Sequence, residues 1–209
     1  MRERNSQKSK EDILAAAEIE FARKGIHGTR IDEIAGRAGI NKRMIYQYFG
    51  SKEGLYKAVL ADVYTRLNDI EIGLLSEDIP PKEAVKKLME LHFNYLKENR
   101  TYVNLLLWEN LNQGVYLDGK EFDGIRNPAI ERMRKVLQRG IEEGVFNPDL
   151  DIEQVVLSLL TCNFSYFSNT YTLSKLLSKN LNDEETIKSR LENMTGMFLK
   201  YLCNKAPDP

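Results

Sequence analysis

The run Ile31-Asp-Glu-Ile-Ala-Gly-Arg-Ala-Gly-Ile-Asn-Lys-Arg-Met-Ile-Tyr-Gln-Tyr-Phe49 decides how this chain is read. It divides at Gly39 into two short helical segments. Ala35 is small where a second helix must approach the first. Gly39 can take a positive φ without a Cβ clash, which turns the chain sharply. Ile34, Ala38, Ile40 and Ile45 recur on the faces that would meet and so fix the crossing angle. Two short helices joined at a glycine are what a helix-turn-helix needs. Asn41 caps the second helix, which then presents Lys42, Arg43, Met44, Tyr46, Gln47 and Tyr48 outward. Cationic, amide and aromatic side chains of this kind suit phosphates and base edges in a major groove. A plain structural hairpin remains the other reading of these two helices taken alone.

Helical periodicity continues on both sides. Leu14, Ala17 and Phe21 mark one stripe of a helix over about 9–24, stopped by Gly25. Thr29 reads as the N-cap of the helix through Ile34, with Asp32 placed as in a capping box. Ser51 caps a connecting helix over about 52–75 that carries Leu55, Val59, Leu60, Val63 and Leu67. Pro80-Pro81 is the clearest boundary. Because Pro is tolerated in a first helical turn, the next helix starts there and carries Val85, Leu88, Leu91, His92 and Tyr95. Further helices are predicted near 100–113, 125–143, 151–171 and 183–203, the 151–171 helix capped by Asp151. Residues 114–124 read as a loop and Asn147-Pro148-Asp149 as a break. No run alternates with period two for long enough to make a sheet. The expected fold class is all-α, with a helix-turn-helix domain over 1–52 and a C-terminal helical domain over 76–209.

The 209 residues suffice for one or two small domains with a sizeable core. Hydrophobic content of 42% with 29% charged residues excludes bulk disorder. The net charge of −1 hides an uneven layout: residues 1–52 are +4 and the remainder −5. A basic head on an acidic body points to an anionic partner for the head. No segment suits a membrane span. The opening MRERNSQKSK has no apolar core, so no secretory signal is expected. Cys162 and Cys203 make neither a disulfide framework nor a metal cluster, and His27 and His92 are the only imidazoles. These features predict a cytoplasmic binding protein that needs no metal or cofactor.

Residues 9–65 resemble the DNA-binding head of the tetracycline-repressor (TetR) family of bacterial regulators. The matching residues are Gly28-Thr29, Ile34-Ala35, Ala38-Gly39-Ile40, Ile45-Tyr46, Tyr48-Phe49, Ser51-Lys52-Glu53 and Leu55-Tyr56. The resemblance implies a homodimer that binds a palindromic operator in double-stranded DNA and answers to a small effector in the C-terminal domain. Carried over by position, Arg43, Tyr46 and Gln47 reach base edges, and Lys42 touches a base or a phosphate. Thr29, Tyr48 and Lys52 correspond to phosphate contacts. Their structural alternatives are an N-cap, a core-edge aromatic and a solvated charge. Arg2, Arg4, Lys8 and Lys10 read either as a mobile arm near DNA or as a solvated tail.

In the body, Gln154 to Ser174 holds no charged side chain in 21 residues yet is rich in Ser, Thr and Asn. A helix apolar on nearly all sides is buried on more than one. One side would meet the partner subunit and another a cavity. Val155, Leu159, Leu191, Met194, Phe198 and Tyr201 are the expected dimer interface, with intramolecular core as the alternative for the same stripe. The expected pocket for a small, largely apolar effector comprises Tyr102, Leu106, Trp108, Glu109, Asn112, Cys162, Tyr166 and Phe167, a mixture of few polar groups and much apolar surface. Two other functions compete with a ligand-responsive repressor. An enzyme would need a nucleophile elbow, a phosphate loop or a metal triad, and none is present. A ligand-independent architectural protein would bind DNA without an effector response.

Overall fold

The computed structural model describes residues 2–74, 79–118 and 128–203, and no strand occurs among them. The helices are α1 (Arg2–Gly28), α2 (Ile31–Ala38), α3 (Lys42–Phe49), α4 (Lys52–Leu74), α5 (Pro81–Glu98), α6 (Arg100–Leu111), α7 (Pro128–Glu142), α8 (Ile152–Ser168), α9 (Thr170–Leu176) and α10 (Glu184–Cys203). A 3-10 turn spans Val115–Leu117 within the predicted loop, whose residues 119–124 lie outside the described ones. The chain divides into two compact units, one of residues 1–66 with 99–126 and one of 67–98 with 127–209. The expected division gives 99–126 to the C-terminal domain. Instead α6 packs along α1, and that contact is what draws these residues to the head.

In the first unit, Ile13, Phe21, Ile34, Ile45, Leu55, Tyr56 and Leu105 are fully buried. Phe21 meets Tyr56 edge to face at 5.0 Å between ring centroids, an arrangement worth about 0.5–1.5 kcal/mol beyond area burial. Helix α1 begins at Arg2, earlier than the expected 9, which puts Lys8 and Lys10 on a helix rather than an arm. The side chains of Arg2 and Arg4 lie outside the described residues. Gly25 (φ 66, ψ 175) breaks the helical geometry of α1 where a stop is expected, and one more turn follows it.

Caps explain the next boundaries. Gly39 ends α2 in the left-handed region, and the Ile40 N–H returns to the Ala35 carbonyl at 3.1 Å, a Schellman closure. The Asn41 side chain accepts the Arg43 N–H at 2.9 Å at the start of α3, a cap worth about 1 kcal/mol. Ser51 accepts the Gly54 N–H at 3.0 Å at the start of α4. Thr29 is not a cap: Arg30 occupies that position, and its N–H is taken by the Glu33 carboxylate at 3.2 Å.

The second unit is built on α5, which packs against α7, α8 and α10, while α7 also packs on α8. Val85, Leu88, Met89, Leu137, Val155, Leu159, Met194 and Leu202 share its core. Asp151 caps α8 through the Gln154 N–H at 3.1 Å. The predicted single helix over 151–171 is two, because Asn169 (φ −109, ψ 9) leaves helical geometry and restarts the chain as α9. Phe93 lies against Tyr166 and Phe167 at 5.5 and 4.7 Å.

Candidate nucleic-acid interface

Helix α3 is held from one side and open on the other. Ile45 is fully buried, while Lys42, Arg43, Tyr46 and Gln47 are exposed and Met44 and Tyr48 are half-buried. A helix of eight residues has little stability of its own. Its anchorage comes from Ile45, from the Asn41 cap, and from α2, whose Ile31 and Ile34 sit in the core. The exposed edge therefore keeps a fixed orientation, which reading a groove requires.

Lys42 and Lys52 on this edge have definite partners. Lys42 Nζ pairs with Asp32 Oδ1 at 3.0 Å, and that hydrogen bond raises the lysine's pKa. Among the described residues nothing engages the Arg43 guanidinium, so it is free for a ligand. Lys52 Nζ donates to the Thr29 carbonyl at 3.3 Å. Tyr48 is bracketed by the first turns of α1: Ser6 Oγ donates to its hydroxyl at 3.2 Å, and the Lys10 ammonium lies 5.5 Å from its ring centroid. Thr29 is 2% exposed, and its hydroxyl donates to the carbonyls of Gly25 (2.8 Å) and Glu20 (3.1 Å). Its side chain therefore secures the α1–α2 turn.

Beneath this edge Glu20 gathers cations. It is 3% exposed and accepts Arg23 at 2.8 Å and Arg37 Nε at 2.9 Å. The Arg23 hydrogen bond chiefly, with that from Arg37, holds its carboxyl below the usual carboxylate range, against desolvation. Arg37 belongs to α2, so the cluster ties α2 to α1.

Two models of known families match the chain: "Bacterial regulatory proteins, tetR family" over residues 13–59 and "Tetracyclin repressor-like, C-terminal domain" over residues 81–197. The chain belongs to the tetracycline-repressor family. It is 30% identical to the HTH-type transcriptional repressor NicS of Pseudomonas putida, over 97% of this chain and 96% of that one. It is 27% identical to the regulator RutR of Escherichia coli, over 91% and 89%. The solved fatty acid degradation regulator FadR of Bacillus halodurans shares the fold, with a TM-score of 0.72 and 18% identity over 91% of this chain and 94% of that one. Members of the tetracycline-repressor family are DNA-binding transcriptional regulators, not enzymes.

The expected effector set does not lie in one compact unit. Tyr102, Leu106, Trp108, Glu109 and Asn112 belong to the first, and Cys162, Tyr166 and Phe167 to the second. Trp108 lies against Gly25 and donates its indole N–H to the Ala22 carbonyl at 3.3 Å, which makes it part of the α1–α6 packing. Tyr102 packs against Tyr64 at 5.7 Å, and Glu109 accepts the Tyr116 N–H at 2.8 Å. Burial and the Glu109 carboxylate together push the Tyr64 hydroxyl up to about 12. Leu106 and Asn112 are half-buried. In the second unit, Cys162 is half-buried, and Tyr166 donates to the Leu181 carbonyl at 2.6 Å. Phe167 is core, at 3% exposure.

The expected dimer stripe also divides. Val155, Leu159 and Met194 are buried within the protomer and cannot meet a partner. Leu191 and Phe198 are half-buried against the same core, and Tyr201 is exposed. Leu157 and Met197, absent from the expected set, are exposed apolar residues on α8 and α10. Leu157 is two residues from Val155 and Met197 three from Met194, so the apolar pattern alone could not assign the outer side. No helix among the described residues is long and apolar enough to cross a membrane. No cluster of three or more His, Cys, Asp or Glu among them could hold a metal ion.

Proposed function

We propose that this chain is a ligand-responsive repressor that binds a palindromic operator as a homodimer in the cytoplasm and is released by a small, largely apolar effector. The observation that carries the reading is the exposed edge of α3, where Lys42, Arg43, Tyr46 and Gln47 project from a helix anchored by Ile45. Arg43, Tyr46 and Gln47 read base edges, with Met44 beside them. Lys42 exchanges Asp32 for a phosphate or a base, and Tyr48 and Lys52 hold the backbone. Two heads then meet successive major-groove faces about 34–36 Å apart, or a multiple of that spacing. Leu157, Met197 and Tyr201, with the half-buried Leu191 and Phe198, supply the apolar side of α8 and α10 on which protomers join. The effector acts by binding the DNA-free conformation more tightly, since equal affinity for both states shifts nothing.

The test is titration of labelled duplexes from the DNA flanking the protein's own gene, against random duplexes. Arg43→Ala should relax base preference at one position per half-site and cost about 1–3 kcal/mol there. Lys52→Ala should weaken all sequences about equally and reduce the salt dependence. Equal effects of both changes on cognate and random DNA would sink the assignment.

A further inference from the structure

The first turns of α1 stand outside the helix-turn-helix, yet they reach α3. Ser6 and Lys10 are four residues apart and so share one side of α1. Both meet Tyr48, at different parts of its side chain. Ser6 Oγ donates to the Tyr48 hydroxyl oxygen at 3.2 Å, and the Lys10 ammonium lies 5.5 Å from the ring centroid. Phe49 packs edge to face on the same ring, at 6.3 Å between centroids. The ring is therefore held in place although it is only half-buried. Lys10 is exposed, and among the described residues no carboxylate pairs with it. Lys8 lies about half a turn round the helix from both Ser6 and Lys10.

A phenol that accepts one hydrogen bond still has its own proton to give. With Ser6 on the Tyr48 oxygen, that O–H is left as a donor, and among the described residues no acceptor takes it. Hydroxyls linked in a chain polarise one another, which strengthens the outward donor. An oxyanion suits it best, because charge-assisted bonds are about twice as strong as neutral ones. The unpaired Lys10 ammonium beside the ring favours the same anion. Next to the exposed edge of α3, that anion is a phosphate of the DNA backbone. We propose that Ser6, Lys10 and Tyr48 form one phosphate-binding corner across α1 and α3. Tyr48 donates to the phosphate, Lys10 supplies charge, and Ser6 is a positioning residue for the Tyr48 hydroxyl. The corner rests on the reading of Tyr48 as a backbone contact and adds two residues from outside the helix-turn-helix. It also gives Lys10 a built place, where the sequence alone allowed a mobile arm or a solvated tail.

Phosphate contacts carry no sequence information, so a random duplex tests the corner and the operator need not be known. Fluorescence anisotropy follows the full chain on a labelled random duplex, and on the DNA flanking its own gene, over a range of KCl concentrations. None of the three side chains is core, so each variant keeps the fold. Tyr48→Phe weakens both duplexes about tenfold or more. Ser6→Ala weakens both about threefold, and costs nothing further once Tyr48→Phe is present. Lys10→Met keeps an apolar stem over the ring but loses the charge, which lowers the salt slope by about one for each head bound. Lys10→Arg restores that slope, and Lys8→Met leaves it where it was. Equal changes of slope for Lys8→Met and Lys10→Met overturn the proposal, because the charge then acts from no fixed place. So does a Ser6→Ala loss as large with Tyr48→Phe as without it, which is what a merely frayed helix end would give. Tyr48→Phe without effect, in a chain where Arg43→Ala still alters binding to the flanking duplex, removes the corner and keeps α3 as the reading helix. Arg43→Ala without effect on either duplex as well removes both readings.

Discussion

Replacing Gly25 by Ala probes the junction between α1 and α6. Two independent costs arise there. At φ 66 and ψ 175 the backbone occupies a region essentially reserved for glycine, which costs a substituted residue about 1–3 kcal/mol. The new Cβ would also stand 2.8 Å from two ring atoms of Trp108, closer than real contacts come. The ring cannot swing aside freely, because its N–H is bonded to the Ala22 carbonyl. Overpacking of this kind costs about 1–3 kcal/mol more, so the expected loss is about 2–6 kcal/mol. Gly39→Ala provides the control. Its φ is also 66 but its ψ is 30, and nothing lies within 4 Å of the added carbon, so it should lose only about 1–2 kcal/mol.

Urea unfolding followed by tryptophan fluorescence is the assay, because Trp108 is the only tryptophan and sits in the unit that contains Gly25. Far-ultraviolet circular dichroism follows the whole chain in parallel and detects separate unfolding of the second unit. A double-mutant cycle with Trp108→Ala, read by circular dichroism because that change removes the fluorophore, should return the steric part and leave the backbone part. Equal losses for Gly25→Ala and Gly39→Ala, or a cycle with no coupling, would refute the reasoning.

Glu20→Gln should cost only about 1 kcal/mol at neutral pH, since Arg23 and Arg37 are themselves half in solvent. The carboxyl's lowered pKa means that its contribution is present above about 4.5 and fades as pH falls below it, so acid titration of the variant should lack that part of the decline. In the second unit, burial raises Glu71 to about 7 and lowers His92 to about 4. The first costs stability as pH rises from 4.5 to 7, and the second as pH falls from 6.5 to 4, so the wild type should be nearly flat where they overlap. Glu71→Gln should gain about 1–3 kcal/mol at pH 7 and uncover the His92 slope; a flat profile in that variant would reject the pairing. Met197→Glu with Tyr201→Glu should yield monomers in sedimentation that keep their helicity but lose operator affinity, and an unchanged dimer would move the interface elsewhere.

Features satisfied within a few residues were legible in the sequence. Asn41 and Arg43, Ser51 and Gly54, and Asp151 and Gln154 cap their helices as their spacing implies, because each donor and acceptor lies within one turn. Thr29 shows where local reasoning fails. Its hydroxyl had two uses within reach, a cap ahead of it and two carbonyls behind it, and only the packed α1–α2 turn selects the second. Trp108 fails for a different reason. An aromatic in a helical stripe fits a pocket and a helix contact equally well, and its partner Gly25 lies 83 positions earlier in the chain. The dimer stripe is the sharpest case. Met194 and Met197 share one helix and one residue type, yet the first is 2% exposed and the second 61%. A period of 3.6 places both near one face, and only the packing of α10 against α5 turns one inward and leaves the other out.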